Sequence, residues 1–94
     1  MRLKARIDSN HSAVVKALRA CGCSVQSLAS LGHGVVDLLV GRNGVNFLME
    51  IKDGSKSPSQ RKLTPDELEW IAAWKGKAHV VHSVEEAIKV VNNL

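Results

Sequence analysis

One stretch of the sequence, residues 34–54, constrains the fold more than any other. Two apolar runs, residues 35–40 and 45–51, flank the dipeptide Asn43-Gly44. Asn-Gly suits a type I′ turn better than other pairs do, because both central positions of that turn need a positive φ. The stretch therefore predicts a β-hairpin.

The turn also sets the register of this hairpin. If Asn43 and Gly44 are the two loop residues, Asp37 falls directly opposite Glu50. Because side chains alternate along a strand, they divide into two faces. One face is wholly apolar and should join the core: Val36, Leu38, Val40, Phe47, Met49 and Ile51. The other face is apolar near the turn and charged at its far end: Val35, Asp37, Leu39, Leu48, Glu50 and Lys52.

The charged end of the second face carries the candidate chemistry. Directly opposed residues have Cβ atoms about 4.5–5.5 Å apart, and like charges so placed are destabilising. A divalent cation such as Mg²⁺ would compensate Asp37 and Glu50, since it binds carboxylate oxygens and keeps waters. Lys52 could then hold a nucleophilic water or stabilise charge on a phosphate. The simpler alternative is three solvated edge charges, but Asp37 lies inside the most apolar run of the chain.

The remaining elements follow from periodicity and capping. Asp8 or Ser9 is predicted to cap a first helix that Gly22 ends, and residues 23–29 to form a short strand. A capping box at Thr64 opens a second helix that Gly76 closes; residues 78–82 form a strand, and a second capping box at Ser83 opens a final helix. The predicted order is helix, three-strand meander, helix, strand, helix.

An acid facing Glu-x-Lys across a hairpin resembles the PD-(D/E)xK nuclease superfamily, with Val36 in place of the proline. The flanking order resembles more closely the small stand-alone VRR-NUC (virus-type replication-repair nuclease) domains of viruses and bacteria. That resemblance covers roughly residues 8–90 and includes residues 32–41, residues 49–54, Leu63-Thr64 and Trp70. It implies an α/β, restriction-endonuclease-like αβββαβ core, with a mixed sheet flanked by helices and an added C-terminal helix. We expect one domain over residues 1–94.

The resemblance also implies a reaction. It suggests a metal-dependent endonuclease in which Asp37, Glu50 and the backbone carbonyl of Ile51 bind Mg²⁺ or Mn²⁺, while Lys52 assists hydrolysis of a DNA phosphodiester. Many members of the superfamily add a glutamate from the first helix. Here the inward candidates at that position are Asp8, Asn10 and His11, and none is a glutamate.

The charge balance suits a polyanionic partner, since the net charge is +4 and the pI is near 9.4. The predicted DNA contacts lie in the N-terminal arm, in the loop before the first acid and in the basic loop after Lys52: Lys4, Arg6, His33, Lys56, Arg61 and Lys62. A solvated tail, a plain loop histidine and a solvated linker are the alternatives. The chain has only three aromatic residues, so stacking on unpaired bases should not dominate.

Stand-alone VRR-NUC domains resemble Holliday-junction resolvases, which implies a homodimer that cuts four-way junctions. Trp70 and Trp74, four residues apart on the second helix, could form the subunit contact or simply pack. The rival hypotheses are a nonspecific nickase or flap nuclease of the same fold, and a non-catalytic nucleic-acid-binding module.

Several classes are not expected. No apolar stretch approaches the roughly 20 residues that span a bilayer, and no signal peptide precedes the first helix. We therefore expect an intracellular protein, in the bacterial cytoplasm or in the host cell if phage-encoded. Cys21 and Cys23 fit reduced, structural cysteines better than a zinc site. Nothing predicts a small-molecule cofactor or a membrane partner.

Overall fold

The computed structural model describes residues 9–94. In chain order its elements are helix α1 (His11–Ala20), strand β1 (Ser24–Ser27), a 3₁₀ turn (Ala29–Leu31), strands β2 (Leu38–Arg42) and β3 (Val45–Ile51), helix α2 (Pro65–Ala73), strand β4 (Ala78–Val81) and helix α3 (Val84–Asn92). This is the predicted order. No helix within the described range is both long enough and apolar enough to cross a membrane.

Within residues 9–94 the strands form a four-stranded mixed sheet in the order β1-β2-β3-β4. β1, β2 and β3 pair antiparallel, as a meander joined by short connections does. β4 runs parallel to β3, because the intervening segment with α2 carries the chain back to the starting end of the sheet. The arrangement agrees with the predicted αβββαβ core followed by a C-terminal helix.

The register of the β2–β3 hairpin is the predicted one. The pairs run from Arg42↔Val45 at the turn to Leu38↔Met49 at the other end. Asn43 and Gly44 have φ values of +52° and +79°, both in the left-handed region that a type I′ turn requires.

The apolar face of the hairpin is buried against α1 and α3. The core cluster is Val14, Leu18, Cys23, Leu38, Val40, Phe47, Met49, Ile51, Val81, Ala87 and Val91. Val36 is fully buried as well, so all six residues predicted for the core face are inside. On the second face Leu39 is exposed, whereas Leu48, Asp37, Glu50 and Lys52 are buried. The charged end of this face is therefore inside the protein, and the three charges are not solvated edge residues.

The predicted cap of α1 was wrong. Asn10, not Ser9, occupies the N-cap position, and its side chain makes no capping hydrogen bond. Its Nδ2 instead donates to the carbonyl oxygens of Lys52 and His82, at 3.2 and 3.3 Å. Ser9 donates to Asp53 Oδ2 at 2.7 Å. These polar side chains fasten the start of α1 to the ends of β3 and β4, and Asp8 lies outside the described residues.

The capping box of α2 is confirmed. Thr64 Oγ1 accepts the N–H of Glu67 at 3.2 Å, Glu67 Oε1 accepts the N–H of Thr64 at 2.8 Å, and Pro65 is the first helical residue. The helix ends at Ala73, three residues before the predicted stop at Gly76.

The start of α3 differs from the predicted capping box by one contact. Ser83 Oγ accepts the N–H of Glu86 at 3.1 Å, as predicted. The Glu86 carboxylate, however, accepts from the backbone N–H and the imidazole of His82, at 2.9 and 3.1 Å. Glu86 therefore bonds His82, the residue before the N-cap Ser83, which offers it two donors, the backbone N–H and the ring nitrogen.

Candidate active site

Asp37 lies at the end of the β2–β3 ladder, immediately before β2. The last ladder pair is Leu38↔Met49, and the N–H of Ile51 then donates to Asp37 Oδ2 at 2.7 Å. The Asp37 carboxylate thus accepts the N–H of Ile51 at the position where a backbone carbonyl would accept it if the ladder continued. Burial raises the pKa of Asp37, and this hydrogen bond and the nearby His11 partly oppose the increase.

Glu50 is the most deeply buried acid of the described region, with 4 % of its side chain exposed. Burial raises its pKa to about 9, and the neighbouring carboxyl groups of Glu67 and Asp37 add to the increase. Its Oε1 is buried and has no hydrogen-bond partner among residues 9–94. Without a bound metal ion, Glu50 therefore keeps its proton at neutral pH, even with the Lys52 ammonium nearby.

Lys52 follows on the same face, at the point where β3 ends. Its backbone N–H donates to the carbonyl of Val81 at 2.9 Å, which fixes the start of the side chain against β4. Its Nζ lies 3.5 Å from Glu50 Oε2 and 2.7 Å from Glu67 Oε1, with only 11 % of the side chain exposed. The ammonium is therefore held between two carboxyl groups.

Glu67 is the residue of this cluster that the sequence interpretation missed. The sequence pattern predicts only its place in the capping box of α2. In the structure its carboxylate also reaches Lys52 and the Glu50 carboxyl group. Burial alone would raise the pKa of Glu67, but hydrogen bonds from Glu50, Lys52 and the N–H of Thr64 outweigh it and lower that pKa. The sequence feature that could have revealed this contact is the position of Glu67 in the first turn of α2, directly after the loop that follows Lys52.

The start of α1 supplies a histidine, not an acid, to the neighbourhood of Asp37. His11 is close enough to lower the pKa of Asp37, and its Nδ1 is buried without a hydrogen-bond partner in the described part of the chain. Asn10 is tied to backbone carbonyls, as described above. Of the two first-helix candidates within the described residues, His11 is thus the one whose side chain acts on an acid of the site.

The predicted DNA-contacting residues lie at different places. Lys56 and Lys62 are exposed on the loop after β3, whereas Arg61 is half-buried and donates to the carbonyl of Gly54 at 3.0 Å. His33 has a φ of +57° and shares a surface cavity of about 290 Å³ with acidic side chains of α2. Those carboxylates oppose a phosphate at His33. Lys4 and Arg6 lie outside the described residues.

The two acids of the site offer carboxylate oxygens, the ligands that divalent cations such as Mg²⁺ prefer. Residues 9–94 contain no cluster of three His, Cys, Asp or Glu side chains placed to ligate a metal. Mg²⁺ does not require one, because it is commonly bound through one or two carboxylates and several waters. The unpartnered Oε1 of Glu50, beside a second acid whose pKa is also raised, is what such an ion would satisfy. The donor set therefore fits Mg²⁺ or Mn²⁺.

The comparison with solved structures agrees with this geometry. The chain is similar to a structure described as a "VRR_NUC domain", with 27% sequence identity and a TM-score of 0.59, over 90% of this chain and 97% of that one. No family profile matches the sequence, and no curated protein matches it.

The mixed sheet with its flanking helices is thus the restriction-endonuclease-like fold of a nuclease domain. The chain is therefore similar in fold and sequence to a VRR-NUC domain, in agreement with the resemblance of its motifs.

Proposed function

We propose that this chain is a metal-dependent endonuclease that hydrolyses DNA phosphodiesters. The observation that carries the proposal is the buried Glu50 carboxyl group, which has an unpartnered oxygen and lies beside Asp37 and Lys52. A buried acid pair is destabilising unless something compensates it. A divalent cation compensates it and at the same time supplies hydrolytic chemistry.

In this proposal Asp37, Glu50 and the backbone carbonyl of Ile51 hold Mg²⁺ or Mn²⁺. When bound, the ion polarises the phosphate and lowers the pKa of the attacking water. Glu50 must release its proton to become a ligand, as metal-binding acids do. The Lys52 ammonium, already at the rim of the acid pair, orients the water or stabilises the charge that develops on the phosphate.

The contacts with DNA are assigned to the basic loop and the N-terminal arm. Lys56 and Lys62 are exposed on the loop that follows β3 and Lys52, and we assign to them contacts with the phosphates beside the cut. Arg61 is held by Gly54 and shapes that loop. Lys4 and Arg6 are proposed to add phosphate contacts, and His33 is the weakest member of the set because acids of α2 line its cavity.

We further propose a homodimer that cuts four-way junctions. α2 buries none of its residues in the described part of the chain, and Trp74, at the end of this helix, is 47% exposed. Trp70 and Trp74 stack on each other, with ring centroids 4.8 Å apart. A two-fold contact through this face would place two sites on opposed strands of a junction.

The cleavage test compares labelled four-way junction, flap and plain duplex at one salt concentration, each with Mg²⁺, Mn²⁺ or EDTA. We expect the wild type to cut the junction fastest, only with metal, and Asp37→Asn and Lys52→Ala to lose cleavage but still bind DNA. Lys89→Ala, an exposed lysine on α3, is the matched control and should cut normally.

The outcomes separate the rival functions. DNA binding without cleavage under every condition would identify a binding module and contradict the enzyme. Equal rates on all three substrates would leave the hydrolysis intact and overturn the junction preference. For the dimer, light scattering should show that Trp74→Asp is a monomer, while Leu31→Asp, a similarly exposed apolar residue away from the tryptophans, keeps the wild-type mass.

A further inference from the structure

We infer that Glu67 is a positioning residue for the nuclease site: it holds the Lys52 ammonium at the rim of the acid pair and away from Glu50. This inference rests on the proposed function. The shorter contact of Lys52 Nζ is to Glu67 Oε1, at 2.7 Å, and the longer one is to Glu50 Oε2, at 3.5 Å. A lysine without this anchor would close onto Glu50, whose oxygens the metal needs.

The position of Glu67 is itself fixed. Its carboxylate accepts the N–H of Thr64 at 2.8 Å while its own N–H donates to the Thr64 hydroxyl, so both ends of the residue are tied to the first turn of α2. That turn is located against the rest of the chain by Gly34, where the Asp66 backbone comes so near that there is no room for a Cβ. The first turn of α2 therefore delivers a carboxylate to Lys52 at a set place.

The burial of the pair distinguishes this contact from a surface ion pair. Only 11% of the Lys52 side chain and 17% of the Glu67 side chain are exposed. An exposed pair is screened by water and contributes little, whereas a short, charge-assisted hydrogen bond that is partly buried restricts the lysine to one position. The contact with Glu67 therefore fixes the position of the Lys52 ammonium as well as balancing its charge.

A glutamine at this position separates capping from positioning. Glu67→Gln keeps an oxygen for the N–H of Thr64 but loses the negative charge that holds Lys52. Thr64→Ala does the opposite, since it removes the hydroxyl cap and leaves the carboxylate. The matched control is Glu86→Gln: Glu86 is also the third residue of its helix and accepts a backbone N–H, and its recorded partners lie around His82.

The first measurement does not depend on nuclease activity. Each protein is treated with trace acetic anhydride, and the acetylation of Lys52 relative to Lys89 is read by mass spectrometry. We expect Glu67→Gln to raise the relative labelling of Lys52 by about tenfold, the size of one hydrogen bond to a charged group, while Glu86→Gln leaves it unchanged. Equal labelling in Glu67→Gln and wild type would overturn the inference whatever the protein does to DNA.

The second measurement uses cleavage and Mn²⁺ binding together. We expect Glu67→Gln to lower kcat by about tenfold or more with KM for DNA and the calorimetric Kd for Mn²⁺ unchanged, because the amide can still hydrogen-bond the Glu50 carboxyl group but no longer carries the charge that holds Lys52. Thr64→Ala should lower the Tm and change kcat little. Loss of Mn²⁺ binding in Glu67→Gln would make Glu67 a metal ligand and overturn the positioning role. An equal fall in kcat in Thr64→Ala would show that Glu67 acts only through the helix cap, and would overturn that role as well. A wild type that cuts no DNA overturns the proposed function instead, a result that is read separately from the labelling.

Discussion

Replacing Glu50 with glutamine should stabilise the metal-free protein, even though it removes a residue of the proposed site. Burial raises the pKa of Glu50 from its ordinary value of 4.5 to about 9. Between those two pH values the unfolded chain releases this proton and the folded chain keeps it. The folded state binds more protons, so the free energy of unfolding falls as the pH rises through this window. Glutamine cannot ionise in either state, and it resembles the protonated acid in shape and in offering a hydrogen-bond donor, an N–H in place of the O–H.

The size of the effect follows from the same window. Each pH unit above 4.5 lowers the stability by about 1.4 kcal/mol, so the loss at pH 7 is at most about 3.5 kcal/mol. Solvent that reaches the carboxyl group screens part of this loss, and we expect about 1–3 kcal/mol in practice. For a domain of this size that corresponds to a rise in Tm of about 5–15 °C for Glu50→Gln at pH 7, and to almost none at pH 4.5.

The assay is thermal unfolding by circular dichroism in EDTA at pH 4.5, 6 and 7.5, for wild type, Glu50→Gln and the exposed-site control Glu85→Gln. In a parallel series without EDTA, added Mn²⁺ should raise the Tm of the wild type, because a ligand that binds only the folded state stabilises it. It should not raise the Tm of Glu50→Gln. A difference in Tm between wild type and Glu50→Gln that does not grow with pH would refute the reasoning.

Three further expectations concern the fold and the DNA surface. Gly34→Ala should lower the Tm and weaken cleavage, because φ is +79° there and the new Cβ would collide with the Asp66 carbonyl; circular dichroism and a cleavage assay check both effects. Met49→Ala, at a fully buried core position, should cost about 2–5 kcal/mol in chemical denaturation, and a smaller loss would mean that the core is less well packed than described. Lys62→Ala should weaken DNA binding equally for all sequences and reduce the slope of log K against log salt by about one, whereas an unchanged slope would remove this lysine from the interface.

The hairpin was predictable because its determinants are local. Asn43-Gly44 restricts the turn to one type, and a two-residue turn leaves one register, which in turn decides the face on which each side chain lies. The position of Asp37 and Glu50 at the buried, charged end of that face follows from these steps alone. The α2 capping box was predictable for the same reason, since its donors and acceptors are three residues apart.

The contacts that the sequence did not reveal are long-range. Glu67 meets Lys52 across fifteen residues, and only the docking of α2 brings the two together. Asn10 bonds Lys52 and His82 across 42 and 72 residues, so its side chain is used for tertiary contacts and not for the cap that local rules predict. A propensity for capping is worth about 1 kcal/mol, and two hydrogen bonds to partly buried backbone carbonyls outweigh it.

The clustering of charge is the strongest physical argument that this end of the sheet has a function. Asp37, Glu50, Lys52 and Glu67 lie together in a buried or mostly buried place, where charged side chains are seldom found unless they are paired. Buried ion pairs can often be replaced by well-packed apolar residues with no loss of stability, and the opposite face of the same hairpin shows that this strand pair accepts such residues. The fold alone therefore does not require the four charges. In the proposed function, an ion bound between the two acids, with an ammonium held beside it, would give each of the four residues a role that stability does not.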